Sequence, residues 1–173
     1  MLTQLQARLV KEAPRFLRMP LQWVPFGVQK QALEQLLGWM FRQAMEDGEL
    51  DFLQHRWLQV EVPDLNLSWF VSVQNAQLVV AKQVQPDVIF RGNTNELILI
   101  AARVEDPDTL FFQRRLTIEG DTELGLYVKN LLDALDMEQM PKPLQALLQQ
   151  LAQFIQKGLA AQPAANTQAI TSC

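Results

Sequence analysis

Residues 106–135 read DPDTLFFQRRLTIEGDTELGLYVKNLLDAL, a helix, a strand and a second helix in close succession. Asp106 is suited to cap the first helix, and Pro107 fits a first-turn position whose N–H has no partner in any case. Leu110, Phe111 and Phe112 crowd into one turn of that helix. Leu116-Thr117-Ile118 alternates as a short strand, and Gly120-Asp121 breaks it, with Asp121 placed to cap the second helix. Leu124, Val128, Leu131 and Leu135 then recur at helical spacing along one face.

Working towards the N-terminus, the middle of the chain predicts strands. Leu58, Val60 and Val62 alternate with polar residues, residues 67–73 form a second run, and Asn75-Ala76 is a tight turn into a third at 78–81. Val88-Ile89-Phe90 is a fourth, ended by Gly92. Asn93 with Glu96 three residues later has the spacing of a capping box for the next helix. Further upstream, Leu33, Leu36, Leu37, Met40, Phe41 and Ala44 predict an amphipathic helix over about 28–46, stopped by Asp47-Gly48. Three strands joined by short turns, with helices arriving later, give the α+β class. The expectation is a single five-stranded, largely antiparallel sheet covered by helices.

The chain divides into four segments. Residues 1–27 are a basic amphipathic N-terminal segment, in which Pro14, Pro20 and Pro25 are expected to divide the chain into short pieces. Residues 28–137 form the domain. Residues 138–160 form a C-terminal amphipathic helix carrying Leu144, Leu147, Leu148, Leu151, Phe154 and Ile155. Residues 161–173 have no periodicity and are expected to lack fixed structure.

The chain has 173 residues, 49% of them apolar, enough for one domain with a substantial core. Its net charge of −4 argues against nucleic acid as a partner, because phosphate binding needs a basic surface. The charge is uneven: the first 30 residues hold Arg8, Lys11, Arg15, Arg18 and Lys30 against Glu12 alone. A basic head on an acidic body implies a charged surface for that head to meet. The longest apolar run, 97–102, is far too short to span a bilayer, so a soluble protein is expected, and a single thiol suits a reducing cytoplasm.

Signs of catalysis are sparse. His55 is the lone histidine and falls before the first strand, where a surface role is the ordinary reading. Cys173, the sole cysteine, sits at the end of the tail and offers neither a disulfide nor a metal cluster. No phosphate-cradling glycine loop is present. The acidic groups Glu105-Asp106-Asp108 and Glu119-Asp121-Glu123 lie at helix starts, where capping and the helix dipole account for them. Of Arg114 and Arg115, strand alternation sends one to solvent and the other towards a carboxylate. No catalytic residue, metal site or cofactor is expected.

A strand ending in Gly-Asp and entering an apolar-faced helix resembles the C-terminal signature of the sterol carrier protein 2 family of small lipid-binding domains. The wording LFFQRRLTIEGDTELGLYVKN, residues 110–130, is similar to one bacterial branch of it, accessory factors of oxygen-independent ubiquinone biosynthesis. The resemblance spans almost the whole chain and is specific mainly in 106–135. It implies an apolar cavity between sheet and helices that holds polyprenylated quinone precursors, without catalysis, for modifying enzymes of the UbiU and UbiV type. Trp39, Phe70, Phe90, Phe111, Phe112, Val128 and Leu132 are the candidate lining, although an ordinary core would use the same residue types. A general phospholipid carrier and a scaffold without a cavity remain the alternatives. For the N-terminal segment two readings stand. Either it folds onto the domain, or Arg8, Lys11, Arg15, Arg18, Trp23 and Phe26 meet an anionic membrane surface, making the protein peripheral at the inner membrane.

Overall fold

Strands β1 (Leu58–Val62), β2 (Leu67–Gln74), β3 (Gln77–Ala81), β4 (Val88–Gly92) and β5 (Leu116–Gly120) form one sheet in the order β3-β2-β1-β4-β5. The computed structural model describes residues 2–135 and 137–160, excepting the side chains of 2–9, Lys11, Arg15 and Leu17. The expected tail, 161–173, lies outside the described residues. Neighbouring strands are antiparallel except β1 and β4, which run parallel. That pair arises because the chain leaves edge strand β3 and crosses to the far side of β1. The β2–β3 hairpin turns through Asn75 and Ala76, at φ 50° and 56°. Both are left-handed, as a two-residue hairpin turn matching the strand twist requires.

The register sorts the side chains. Val60 faces Trp69 across one ladder and Phe90 across the other, and Phe90 faces Ile118. With Leu58, Val71 and Val88 these make one face of the sheet apolar, since side chains alternate with period two. The opposite face carries Gln59, Glu61, Ser68, Arg91 and Glu119, together with Phe70. There Arg91 ties three strands together through Glu61 at 2.6 Å and Glu119 at 3.1 Å. On the β3 edge, the Val80 N–H donates to the Glu34 carboxylate at 2.8 Å, which closes a site where another strand could add.

The helices are α1 (Leu2–Trp23), α2 (Phe26–Met40), α3 (Arg42–Glu46), α4 (Thr94–Ala101), α5 (Pro107–Phe112), α6 (Thr122–Asp133) and α7 (Lys142–Ala160), with a 3-10 turn at Asp51–Leu53. The one helix expected over 28–46 is broken at Phe41, φ −113°. The break lets the adjacent Met40 and Phe41 both be buried, which a straight helix would separate by about 100°.

Prolines do not divide the N-terminal segment as expected. α1 runs unbroken through Pro14 and Pro20. Pro14 has no N–H for the Val10 carbonyl, and Asn95 Nδ2 of α4 donates to that carbonyl instead, at 3.3 Å. The bond also fastens α1 to the domain. Val10 packs with Leu99 and Ala102 from the α4 region and with Ala152 and Ile155 of α7 in a second, small core.

Asp106 and Asp121 cap as expected, accepting from the Thr109 and Leu124 N–H groups at 3.0 Å. The capping box expected at Asn93 does not form. Asp64, from the β1–β2 loop, accepts from the Thr94 N–H at 3.1 Å and its hydroxyl at 3.0 Å, and Glu96 pairs with Arg115 at 3.0 Å. Gly120 has φ +110°, and a Cβ there would lie 2.6 Å from the Asp87 carbonyl oxygen. The Gly-Asp junction therefore needs glycine for conformation and for space alike.

Candidate functional site

A cavity of about 330 Å³ lies between the apolar face of the sheet and the helices. Val60, Trp69 and Phe90 contribute from the sheet, and Leu33, Leu36 and Met40 from successive turns of α2. Val128, Leu131 and Leu132 of α6 enclose it from another side, with Leu97 of α4 and Leu148 of α7. The spacing of the leucines on α2 and α6 is that of one buried helical stripe.

Its wall has almost no polar chemistry. The Thr94 hydroxyl donates to Asp64, and the Trp69 indole N–H donates to Gln29 at 3.2 Å. Both side-chain polar groups in the wall are therefore already paired outside the cavity. A space walled this way offers water no free side-chain partner and suits a hydrocarbon. Its volume is at the lower end of small-molecule sites.

An apolar cavity between a five-stranded sheet and its helices, walled on one side by the helix after a Gly-Asp junction, lies mostly within a segment of known type. A profile of the SCP-2 sterol transfer family matches residues 33–133. The chain belongs to the SCP-2 sterol transfer family. Within that family it is 55% identical over 163 residues to the ubiquinone biosynthesis accessory factor UbiT of Escherichia coli strain K12, covering 94% of each chain. The UbiT of Escherichia coli O157:H7 is equally similar, 55% identical over 94% of each chain. Among solved structures, the ubiquinone synthesis protein UbiJ-SCP2 superposes with a TM-score of 0.51 at 20% identity, over 63% of this chain and 97% of that one. At that identity the likeness speaks for the SCP-2 fold alone.

Of the lining expected from sequence, the structure brings Phe90, Val128 and Leu132 to the cavity of this SCP-2 domain. Trp39 and Phe111 do not line it; both are half-buried against the main core, and Phe111 meets Phe90 edge-on at 6.4 Å between centroids. Phe112 is 88% exposed. Adjacent residues on a helix diverge by about 100°, so Phe111 and Phe112 cannot both face inward. Phe70 is buried, but its register puts it on the far face of the sheet, opposite Gln59. The residue that does reach the cavity is its neighbour Trp69, which sequence reasoning missed. The signal was present: Leu67, Trp69, Val71 and Val73 keep the same alternation as Leu58, Val60 and Val62.

The other sequence candidates lie away from the cavity. His55 is exposed at φ 61°, and Arg114 points to solvent while Arg115 pairs with Glu96. Asp108 holds Lys129 at 2.7 Å, and that hydrogen bond raises the Lys129 pKa. Burial raises the Asp133 pKa above the usual carboxylate value, helped by the charges of Asp108 and Asp106. On α1, Arg18 is exposed, and so are Phe16, Met19 and Trp23, which share one stripe at i, i+3 and i+7. Phe26 is half-buried. The side chains of Arg8, Lys11 and Arg15 lie outside the described residues. No described helix is long and apolar enough to cross a membrane.

Proposed function

We propose that this protein is a non-catalytic lipid-binding accessory factor of oxygen-independent ubiquinone biosynthesis, which holds prenylated quinone precursors for modifying enzymes of the UbiU and UbiV type. The observation that carries this reading is the cavity whose wall offers hydrocarbon contact and no uncommitted polar side chain. The likeness to UbiT supports the choice of pathway. A volume of 330 Å³ holds about eleven methylene-sized groups at about 30 Å³ each. Burying them is worth about 9 kcal/mol, enough to exceed the lower estimates, about 4 kcal/mol, of the cost of association. A long polyprenyl tail exceeds this volume, so the cavity encloses a section of it and the head remains outside.

The α1 stripe favours a second element of the same reading. Phe16, Met19 and Trp23 stand exposed beside Arg18 on a segment rich in cations, a composition suited to an anionic membrane surface. Val10 of α1 packs on Ala152 and Ile155 of α7, which supports the reading that α1 folds onto the domain, and the exposed stripe further along supports the membrane reading. A carrier of membrane-resident lipid has to approach the bilayer, from the cytoplasmic side if it serves this pathway.

Native mass spectrometry of protein purified gently from its own cytosol tests the proposal. Prenylated quinone precursors bound one per chain are the expected result. Phospholipid in their place would favour a general carrier, and an empty protein would favour a scaffold.

A further inference from the structure

A second concavity, an open cleft of about 750 Å³, lies beside the first and shares Leu131 with it. Two elements wall both spaces. Residues 48–54 send Leu50 and Leu53 into the apolar cavity, and Glu49, Asp51 and Phe52 into the cleft. α6 sends Val128 and Leu132 one way and Tyr127 and Asn130 the other. The Phe52 and Tyr127 rings stack 5.2 Å apart with 17° between their planes, so the cleft carries an aromatic shelf. Its charge is one-sided: Glu49, Asp51 and Glu123 stand against Arg56, and Arg56 is itself 3.7 Å from Asp121.

From this juxtaposition we infer that the cleft is the subsite for the polar end of the bound lipid, and that it takes an uncharged, hydroxylated aromatic ring. The inference rests on the lipid-holding reading above and specifies which head that site accepts. To reach the Phe52–Tyr127 pair, a tail lying in the cavity has to pass between residues 48–54 and α6 beside Leu131, which lines both spaces. A flat ring gains stacking area there. Its hydroxyls find carboxylates, which are strong acceptors. A phosphate or carboxylate head meets the same carboxylates with like charge and is disfavoured. The cavity wall cannot make this distinction, because its two polar side-chain groups are already paired.

The test compares three probes with one tail: ortho-geranylphenol, geranyl phosphate and the corresponding headless hydrocarbon. Each is titrated calorimetrically into the full chain and two variants. The unsubstituted protein should prefer the phenol to the phosphate by about tenfold or more, the scale of one close charge repulsion. Tyr127→Ala, at a 44% exposed position, should weaken phenol binding about fivefold to tenfold and leave the headless probe unchanged. Glu49→Lys combined with Glu123→Lys should erase most of the preference for phenol over phosphate. If Tyr127→Ala affects the headless probe equally, or affects neither probe, the cleft is not the head subsite. If the headless probe binds but the two headed ones bind alike, the cavity stands and the subsite is overturned. If the unsubstituted protein binds none of the three, the lipid-holding reading fails and takes this inference with it.

Discussion

Val60→Phe separates a true cavity from a tightly packed core by the sign of its effect on stability. Val60 lies on the central strand β1, and its side chain enters the cavity between Trp69 and Phe90. A charged probe such as Val128→Glu is less informative, because Val128 is 2% exposed and an unpaired buried carboxylate costs several kcal/mol, a large part of an ordinary domain's stability of about 5–15 kcal/mol. Phenylalanine is neutral, favours strands and meets aromatic cross-strand neighbours at position 60. In a filled core the added ring would cost about 1–3 kcal/mol. Here it enters empty space, where unfilled volume costs about 24 cal/mol per Å³, so the lipid-free protein should hold or gain about 1 kcal/mol. The added carbons displace about three methylenes of a bound tail, worth roughly 2–3 kcal/mol or about a 30- to 140-fold loss of affinity. Urea denaturation of delipidated protein gives the first quantity, and titration with a prenyl-tail probe gives the second. A variant destabilised by 1–3 kcal/mol with undiminished probe binding would refute the cavity argument.

Gly120→Ala should destabilise the fold by about 2–3 kcal/mol, because alanine at φ +110° also collides with the Asp87 carbonyl; a thermal melt unchanged by the substitution would contradict this. Asp133→Asn should stabilise the protein by a few tenths of a kcal/mol near neutral pH. The folded-state pKa of Asp133 is raised, so its charged form opposes folding above that pKa, and the difference should vanish as pH falls below the unfolded carboxylate value. Asn95→Ala leaves the Val10 carbonyl without its side-chain donor and should speed hydrogen exchange in α1 while the sheet stays protected. Phe16→Ser with Trp23→Ser, or Arg18→Glu, should reduce flotation with anionic liposomes, and salt should weaken the binding of the unsubstituted protein; equal flotation by all forms would assign the stripe another role.

How far the fold could be read from sequence depended on how local its causes were. Asp106 and Asp121 announce their helices because a cap acts on an N–H three residues away. The strands around Val60, Val71 and Phe90 show in alternation, and the turn at Asn75 follows from its own backbone. The misreadings were non-local. Pro14 reads as a break until Asn95, 85 residues on from Val10, supplies a donor to the carbonyl it strands. Asn93 and Glu96 have capping-box spacing, yet Asp64 and Arg115 arrive from elsewhere and take over the cap and the carboxylate. At the cavity, strand alternation and helical spacing give the faces of Phe90 and Val128, whereas Leu132 lies outside the Leu124, Val128, Leu131 and Leu135 stripe and enters through the family resemblance. A large ring does not orient Phe70 or Phe112: the pleat and the helical turn give the inward direction to their neighbours Trp69 and Phe111. The cleft left no periodic trace, because Phe52 and Tyr127 meet only through the tertiary fold.

The closed polar accounting of the cavity wall, with Thr94 committed to Asp64 and Trp69 to Gln29, makes the cavity a gauge of size rather than of identity. Contacts with hydrocarbon are nearly interchangeable, so saturated, branched or unsaturated chains filling the same volume gain similar energy there. A tail held there is exchangeable for any other of its volume, and what distinguishes one lipid from another has to be read at the head.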